Sequence, residues 1–263
     1  MIGTLQFEFK RAFSSTSFFI SLLLGIAIFL AHFFNHVLPW LNGDFTPFNK
    51  WIGMDTFSFQ LQLLLLICPI IVALPFSDSY FTDKKSGFLK AIYVRTSKIN
   101  YIITKLFVNF IIGGLVYVVP FLLSLWAVVL LFPSVKPDPM TGTAILFDGQ
   151  MWADIYYSEP YAYILRYLVI IFLYGGLFAT IGLAISVFCK NRFVVLVAPF
   201  LLYLAMFFIF QLISLPEYIP AKFLSPGQEV TSIRFSVIVM EFVVLLFVSI
   251  SVFVLGAYKS ETD

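Results

Sequence analysis

Residues 77–105 read SDSYFTDKKSGFLKAIYVRTSKINYIITK, and this charged wedge holds six of the chain's sixteen Lys and Arg residues. On both sides of it the sequence is mostly hydrocarbon. Over all 263 residues the chain is 61% hydrophobic and 11% charged, with a mean hydropathy of +0.99. A soluble domain carries about 25% charged residues, so this composition belongs to a membrane protein.

A bilayer core about 30 Å thick takes roughly 20 apolar residues of helix. Six runs qualify: 18–38, 57–75, 106–132, 167–188, 193–213 and 236–258. The expected fold is therefore an all-α integral membrane protein, a single transmembrane domain over 1–263. It has six transmembrane helices, an N-terminal amphipathic interfacial helix (1–16), a cytosolic region at 77–105 and outer segments at 133–163 and 214–235. The first thirteen residues carry Glu8, Lys10 and Arg11 and lead straight into a full-length span, which argues against a cleaved signal peptide. Cys68 and Cys189 show neither metal-ligand spacing nor a disulfide pattern.

Six spans place both termini on one side. If that side is the cytosol, eleven Lys and Arg residues lie inside and five outside, while five acidic residues lie inside and nine outside. This obeys the positive-inside rule. A multi-pass protein of the cell membrane with both termini cytosolic is expected.

At 100° per residue, Ile2, Leu5, Phe9, Ala12 and Phe13 share one face of the N-terminal helix, and Thr4, Glu8, Arg11 and Ser15 share the other. Phe7 projects from the polar face. Two readings stand: a lipid-surface anchor, or a polar face that docks a cytosolic partner through Phe7, Glu8 and Arg11.

Within the wedge, Ser77, Asp78 and Ser79 offer helix caps, and Gly87 after Lys84 and Lys85 suits a helix end or tight turn. A basic segment drawn to anionic lipid would explain the lysines. It would not explain Phe88, Leu89 and Ile92.

The order of elements, with Asp83, Lys84, Lys85, Ser86, Gly87, Phe88, Leu89, Thr96, Ser97, Lys98 and Lys105 between spans two and three, resembles the membrane subunit of type-2, exporter-type ATP-binding-cassette transporters. The resemblance covers the whole chain. It departs from the usual pattern at Lys85, where an acid is common, at Phe88 in place of Thr, and in lacking a Pro near Thr96. What it implies is a coupling helix in the wedge that fits a groove of an ATPase subunit, and two permease subunits, identical or related, working with two ATPases. Phe7, Glu8 and Arg11 join the same coupling surface. No G-x-x-x-x-G-K-[ST] phosphate loop occurs in the chain. This chain is thus expected to bind no cofactor and to catalyse nothing, with ATP and Mg handled by the partner. Membrane lipids are expected partners; nucleic acid is not.

Inside the spans, Gly175, Ala179, Gly182 and Ser186 form a small-residue stripe at i, i+4, i+7 and i+11, suited to helix packing. Pro69, Pro120 and Pro199 each remove a helical hydrogen bond. Glu241, Gln60, Asn109 and Gln211 are the candidates for a substrate path; Glu241 is the only acid within a span, and such residues are functional suspects. His32 and His36, with no acid in the same span, read as a polar face toward the interior or headgroups rather than a metal site. The Pro-punctuated stretch 215–227 reads either as a re-entrant helix or as a loop on the headgroups. The aromatic-rich segment 133–163 suits the headgroup zone.

The functional expectation is a permease subunit of an ATP-driven exporter that moves a hydrophobic or amphipathic substrate, such as a peptide, lipid-like molecule or drug. The alternatives are an integral-membrane lipid-modifying enzyme, which requires clustered acid–base or metal-ligand groups, and an ion-coupled secondary transporter, which requires repeats and midplane charges.

Overall fold

A computed structural model describes residues 2–138 and 146–259, residue 2 by its backbone alone; part of the expected outer segment, 139–145, lies outside the described residues. No strand occurs among them. The helices are α1 (Ile2–Phe13), α2 (Thr16–His32), α3 (Pro47–Lys50), α4 (Phe59–Ala73), α5 (Ser79–Lys85), α6 (Phe88–Arg95), α7 (Lys98–Leu131), α8 (Ala153–Ser158), α9 (Pro160–Ser186), α10 (Arg192–Leu212), α11 (Pro220–Phe223) and α12 (Phe235–Lys259).

Among the described residues, five helices are long and apolar enough to cross a membrane: Thr16–Trp40, in which α2 continues through a π turn and a 3-10 turn, and α7, α9, α10 and α12. The run 57–75, expected as the second span, gives a helix of only 15 residues. At 1.5 Å per residue α4 covers about 22 Å. Ser58 begins it, its Oγ accepting from Leu61 N at 3.3 Å. The turns after Ala73, with Leu74 N donating to Ile70 O and Ser77 N to Ala73 O, carry the chain onward to the wedge. Two other boundaries differ from the hydropathy reading. The helix expected as the third span, α7, starts at Lys98 rather than 106, because extended Ser97 precedes it and Tyr101, Ile102, Thr104 and Lys105 are buried against protein. The helix expected as the fourth span, α9, starts at Pro160 rather than 167, on a proline suited to a first helical turn.

The centre of the bundle is the crossing of α7 and α9. Gly113 and Gly175 let the backbones meet: a Cβ on Gly113 would lie 2.4 Å from Ala179 Cβ, and one on Gly175 would lie 3.0 Å from Gly113 O. A Cβ on Gly182 would lie 2.9 Å from Ser77 Cβ, and Ser77 Oγ donates to Ala179 O at 2.9 Å. The Gly175–Ala179–Gly182–Ser186 stripe thus packs inside this chain and is buried.

On the face opposite the wedge, loops fold back into the bundle. Trp51, Ile52 and Met54 are almost fully buried. Trp51 Nε1 donates to Phe121 O at 2.9 Å and Ile52 N to Ser124 Oγ at 3.1 Å, so 47–54 is plugged against α7. Gly227 N donates to Gly53 O at 3.2 Å, joining this plug to the stretch after α11. Gln228 closes the layer: its Oε1 accepts from Met151 N at 2.9 Å and its Nε2 donates to Met151 O at 2.7 Å.

Candidate functional site

Five side chains from three elements meet beneath the wedge. Glu8 and Arg11, three apart on α1, supply one acid and one base. Asp83 comes from α5, and Tyr101 and Lys105, four apart, come from the first turns of α7. Lys105 is wholly buried, with Glu8 and Asp83 at 1% exposure. Lys105 Nζ donates to Glu8 Oε2 at 2.8 Å and lies 2.8 Å from Asp83 Oδ2. Tyr101 OH donates to the same Asp83 oxygen at 2.6 Å. Arg11 Nη1 pairs with Asp83 Oδ1 at 2.6 Å, an ion contact without hydrogen-bond alignment. Burial alone would lower the Arg11 pKa, yet the Asp83 carboxylate beside it raises it overall.

Two acids face two bases, so the buried charge balances. A buried ion pair survives only when its partners are complete. Here Lys105 also lies over the Phe76 ring at 4.6 Å and the Tyr101 ring at 5.4 Å. The network fixes α1 and α5 to the foot of α7.

Above this ionic layer sits an exposed knuckle. α5 ends at Lys84–Lys85, Gly87 turns the chain with φ +73°, and α6 begins at Phe88. A positive φ of that size costs an L-residue about 1–2 kcal/mol, which is why glycine stands there. Leu89 drops into a cluster with Tyr80, Tyr101 and Phe253, anchoring α6 to the bundle. Lys84, Lys85, Ser86, Gly87 and Lys90 remain exposed. Between α1 and the knuckle lies a groove of about 540 Å³, walled by Phe7, Arg11, Gly87, Phe88 and Ala91. The Phe7 and Phe88 ring centroids are 6.2 Å apart, and Arg11 lies 5.8 Å above the Phe88 ring.

The ten residues read from the sequence as one coupling surface therefore divide. Glu8, Asp83 and most of Arg11 form the support underneath, with Leu89 as the anchor. Phe7, Lys84, Lys85, Ser86, Gly87 and Phe88 form the contactable layer. Tyr101 escapes sequence reasoning. Its only signal is its i, i+4 spacing from Lys105 on the polar opening of α7.

No family model, curated protein or solved structure matches this chain.

The four path candidates do not converge. Gln60 is buried at the start of α4, with its Oε1 unpartnered. Asn109 lies beside Ser77, past the other end of α4, its Oδ1 3.3 Å from Ser77 Oγ. Gln211 is exposed and accepts from Lys222 Nζ at 3.0 Å. Glu241 is buried in α12, and neither carboxyl oxygen has a hydrogen-bond partner.

Two further pairings join distant elements. Arg192, at the start of α10, contacts Asp78 through its Nε and Ser17 Oγ through Nη2 at 3.2 Å. Burial pushes the Asp78 carboxyl up, and Arg192 pulls it back only part way. On the opposite face Asp55 comes up from a loop to the stacked rings of His32 and His36. His32 Nε2 lies 3.2 Å and His36 Nδ1 3.1 Å from Asp55 Oδ2. Among the described residues no group of His, Cys, Asp and Glu is arranged to hold a metal ion.

Proposed function

We propose that this chain is the permease subunit of an ATP-driven exporter of the type-2 ATP-binding-cassette kind, and that the α5–α6 knuckle is its seat on a separate ATPase. One observation carries the reading: an exposed, basic, aromatic-walled knuckle stands on a buried ionic network that ties it to the longest helix of the bundle. A loop that only rested on lipid would have no use for a fully buried lysine beneath it.

The transmission follows from the same parts. Movement of the knuckle reaches Lys105 through Asp83. From Lys105 to Ser124 along α7 is about 28 Å at 1.5 Å per residue. At that far end α7 holds the Trp51–Ile52 plug. A push from a closing ATPase on one face is thus delivered to the plug on the other. In this reading α4, extended by its following turns, completes six spans, both termini are cytosolic, and a second permease, identical or related, completes the path. The substrate is hydrophobic or amphipathic, and Glu241 is the carboxylate that meets it.

Purification of the tagged chain from its native membrane in mild detergent tests the reading. A co-purifying chain with a phosphate loop and ATPase activity supports it; purification without any such chain across several detergents overturns it.

A further inference from the structure

The geometry points to a binding site for an anionic phospholipid between α9 and α12, in the leaflet opposite the wedge. A groove of about 540 Å³ runs there between Leu165, Val169 and Leu173 of α9 and Phe235, Val239 and Phe242 of α12. Its walls are apolar and several are exposed, with Leu165 63% and Val169 50% accessible. From Arg166 to Tyr174 it extends about 12 Å at 1.5 Å per residue, most of one leaflet's share of a core about 30 Å thick.

The mouth decides the occupant. Arg166 is exposed and lies over the Trp152 ring at 5.3 Å. It meets no carboxylate within ion-pair distance among the described residues. This is unexpected on its own side of the protein. The connections there, 39–58, 132–159 and 213–234, carry eight acidic residues and four basic ones. An arginine without an acid in acidic surroundings, set above an apolar trough and braced by an aromatic ring, matches a negatively charged headgroup whose acyl chain lies in the trough. Trp152 is held for this: it adopts φ +63° and packs against Phe235 at 5.0 Å and Tyr167 at 6.0 Å. A helix of a second copy is the competing occupant of the trough; the arginine at its mouth favours the lipid. The site stands whether or not the chain works with an ATPase.

Native mass spectrometry of the full chain, with phosphatidylglycerol or phosphatidylcholine added to the detergent-purified protein, tests the proposal. Wild type is expected to retain one phosphatidylglycerol about fivefold more strongly than phosphatidylcholine, the worth of one basic residue near a charged surface. Arg166→Gln is expected to abolish that preference, whereas Lys136→Gln on the same face leaves it. Val169→Trp, which fills the trough, is expected to lose the bound lipid of either kind. Equal retention of the two lipids by wild type, or an unchanged preference in Arg166→Gln, overturns the site. So does a Val169→Trp variant that keeps its lipid but falls from dimer to monomer, which would make the trough a contact between copies.

Discussion

Lys105 Nζ, with no solvent exposure, lies 2.8 Å from Asp83 Oδ2, and this contact joins the wedge to the longest helix of the bundle. Glu8 takes the other side of the same ammonium at 2.8 Å. The wedge is therefore keyed into the bundle rather than hung from it.

Removing the lysine leaves two buried carboxylates around one arginine. Breaking a buried pair by deleting one partner costs about 3–5 kcal/mol, so Lys105→Met is expected to lower the melting temperature in detergent sharply. Glu8→Gln with Lys105→Met leaves Asp83 and Arg11 balanced and is expected to recover much of the loss. Equal melting temperatures for wild type and Lys105→Met would remove the network from the stability of the fold.

The knuckle should respond differently. Lys84→Glu with Lys85→Glu alters exposed charges and is expected to leave the melting temperature nearly unchanged, while ATPase activity no longer rises with transport. Gly87→Pro is expected to do the same with an added cost of folding, since proline fixes φ near −65° where the turn requires +73°. Coupled ATPase activity in proteoliposomes is the measurement, and normal coupling in both variants would free the knuckle of its role.

Glu241 is buried in a span with both oxygens unpartnered. A polar group so placed costs stability, and the proposed function makes it the carboxylate that meets substrate. Glu241→Leu is expected to raise the melting temperature and abolish transport without loosening the ATPase. A lower melting temperature would make the carboxylate structural.

The clasp on the opposite face predicts a pH dependence. Burial pushes the Asp55 carboxyl up, but the His32 hydrogen bond and the neighbouring His32, His36 and Lys50 charges bring it below its ordinary value of 3.8. A depressed folded-state pKa gives stability that is fully present above the unfolded value and lost as pH falls through the folded one. The melting-temperature gap between wild type and Asp55→Asn is thus expected to be present near pH 5 and to shrink below about pH 4. A gap that stays constant down to pH 3 would show that the carboxylate's charge is not what holds the clasp.

Periodicity makes α1 and the long apolar helices legible, and Gly87 marks its own turn. What stays hidden is pairing across sequence distance. Glu8 and Lys105 meet over 97 residues, so Glu8, on the polar face of α1, is taken up by α7 of this same chain, which is neither of the two readings its sequence left open, while Phe7 stays exposed. His32 and His36 find their acid in Asp55, 23 residues beyond His32, outside the span that carries both histidines. Hydropathy overstates α4 by two residues at each end, because it counts apolar residues without seeing Ser58 start the helix or the turns that follow Ala73. It also misses the plug, since Trp51 and Ile52 are buried by α7 rather than by any pattern of their own.

The most direct test of the knuckle as an ATPase seat is site-specific photo-crosslinking in the native membrane. A photoreactive phenylalanine placed at Ser86 is expected to capture a single protein carrying a phosphate loop, and one placed at the buried Tyr80 is expected to capture none. Capture of lipid alone at Ser86, with no protein adduct, would contradict the account.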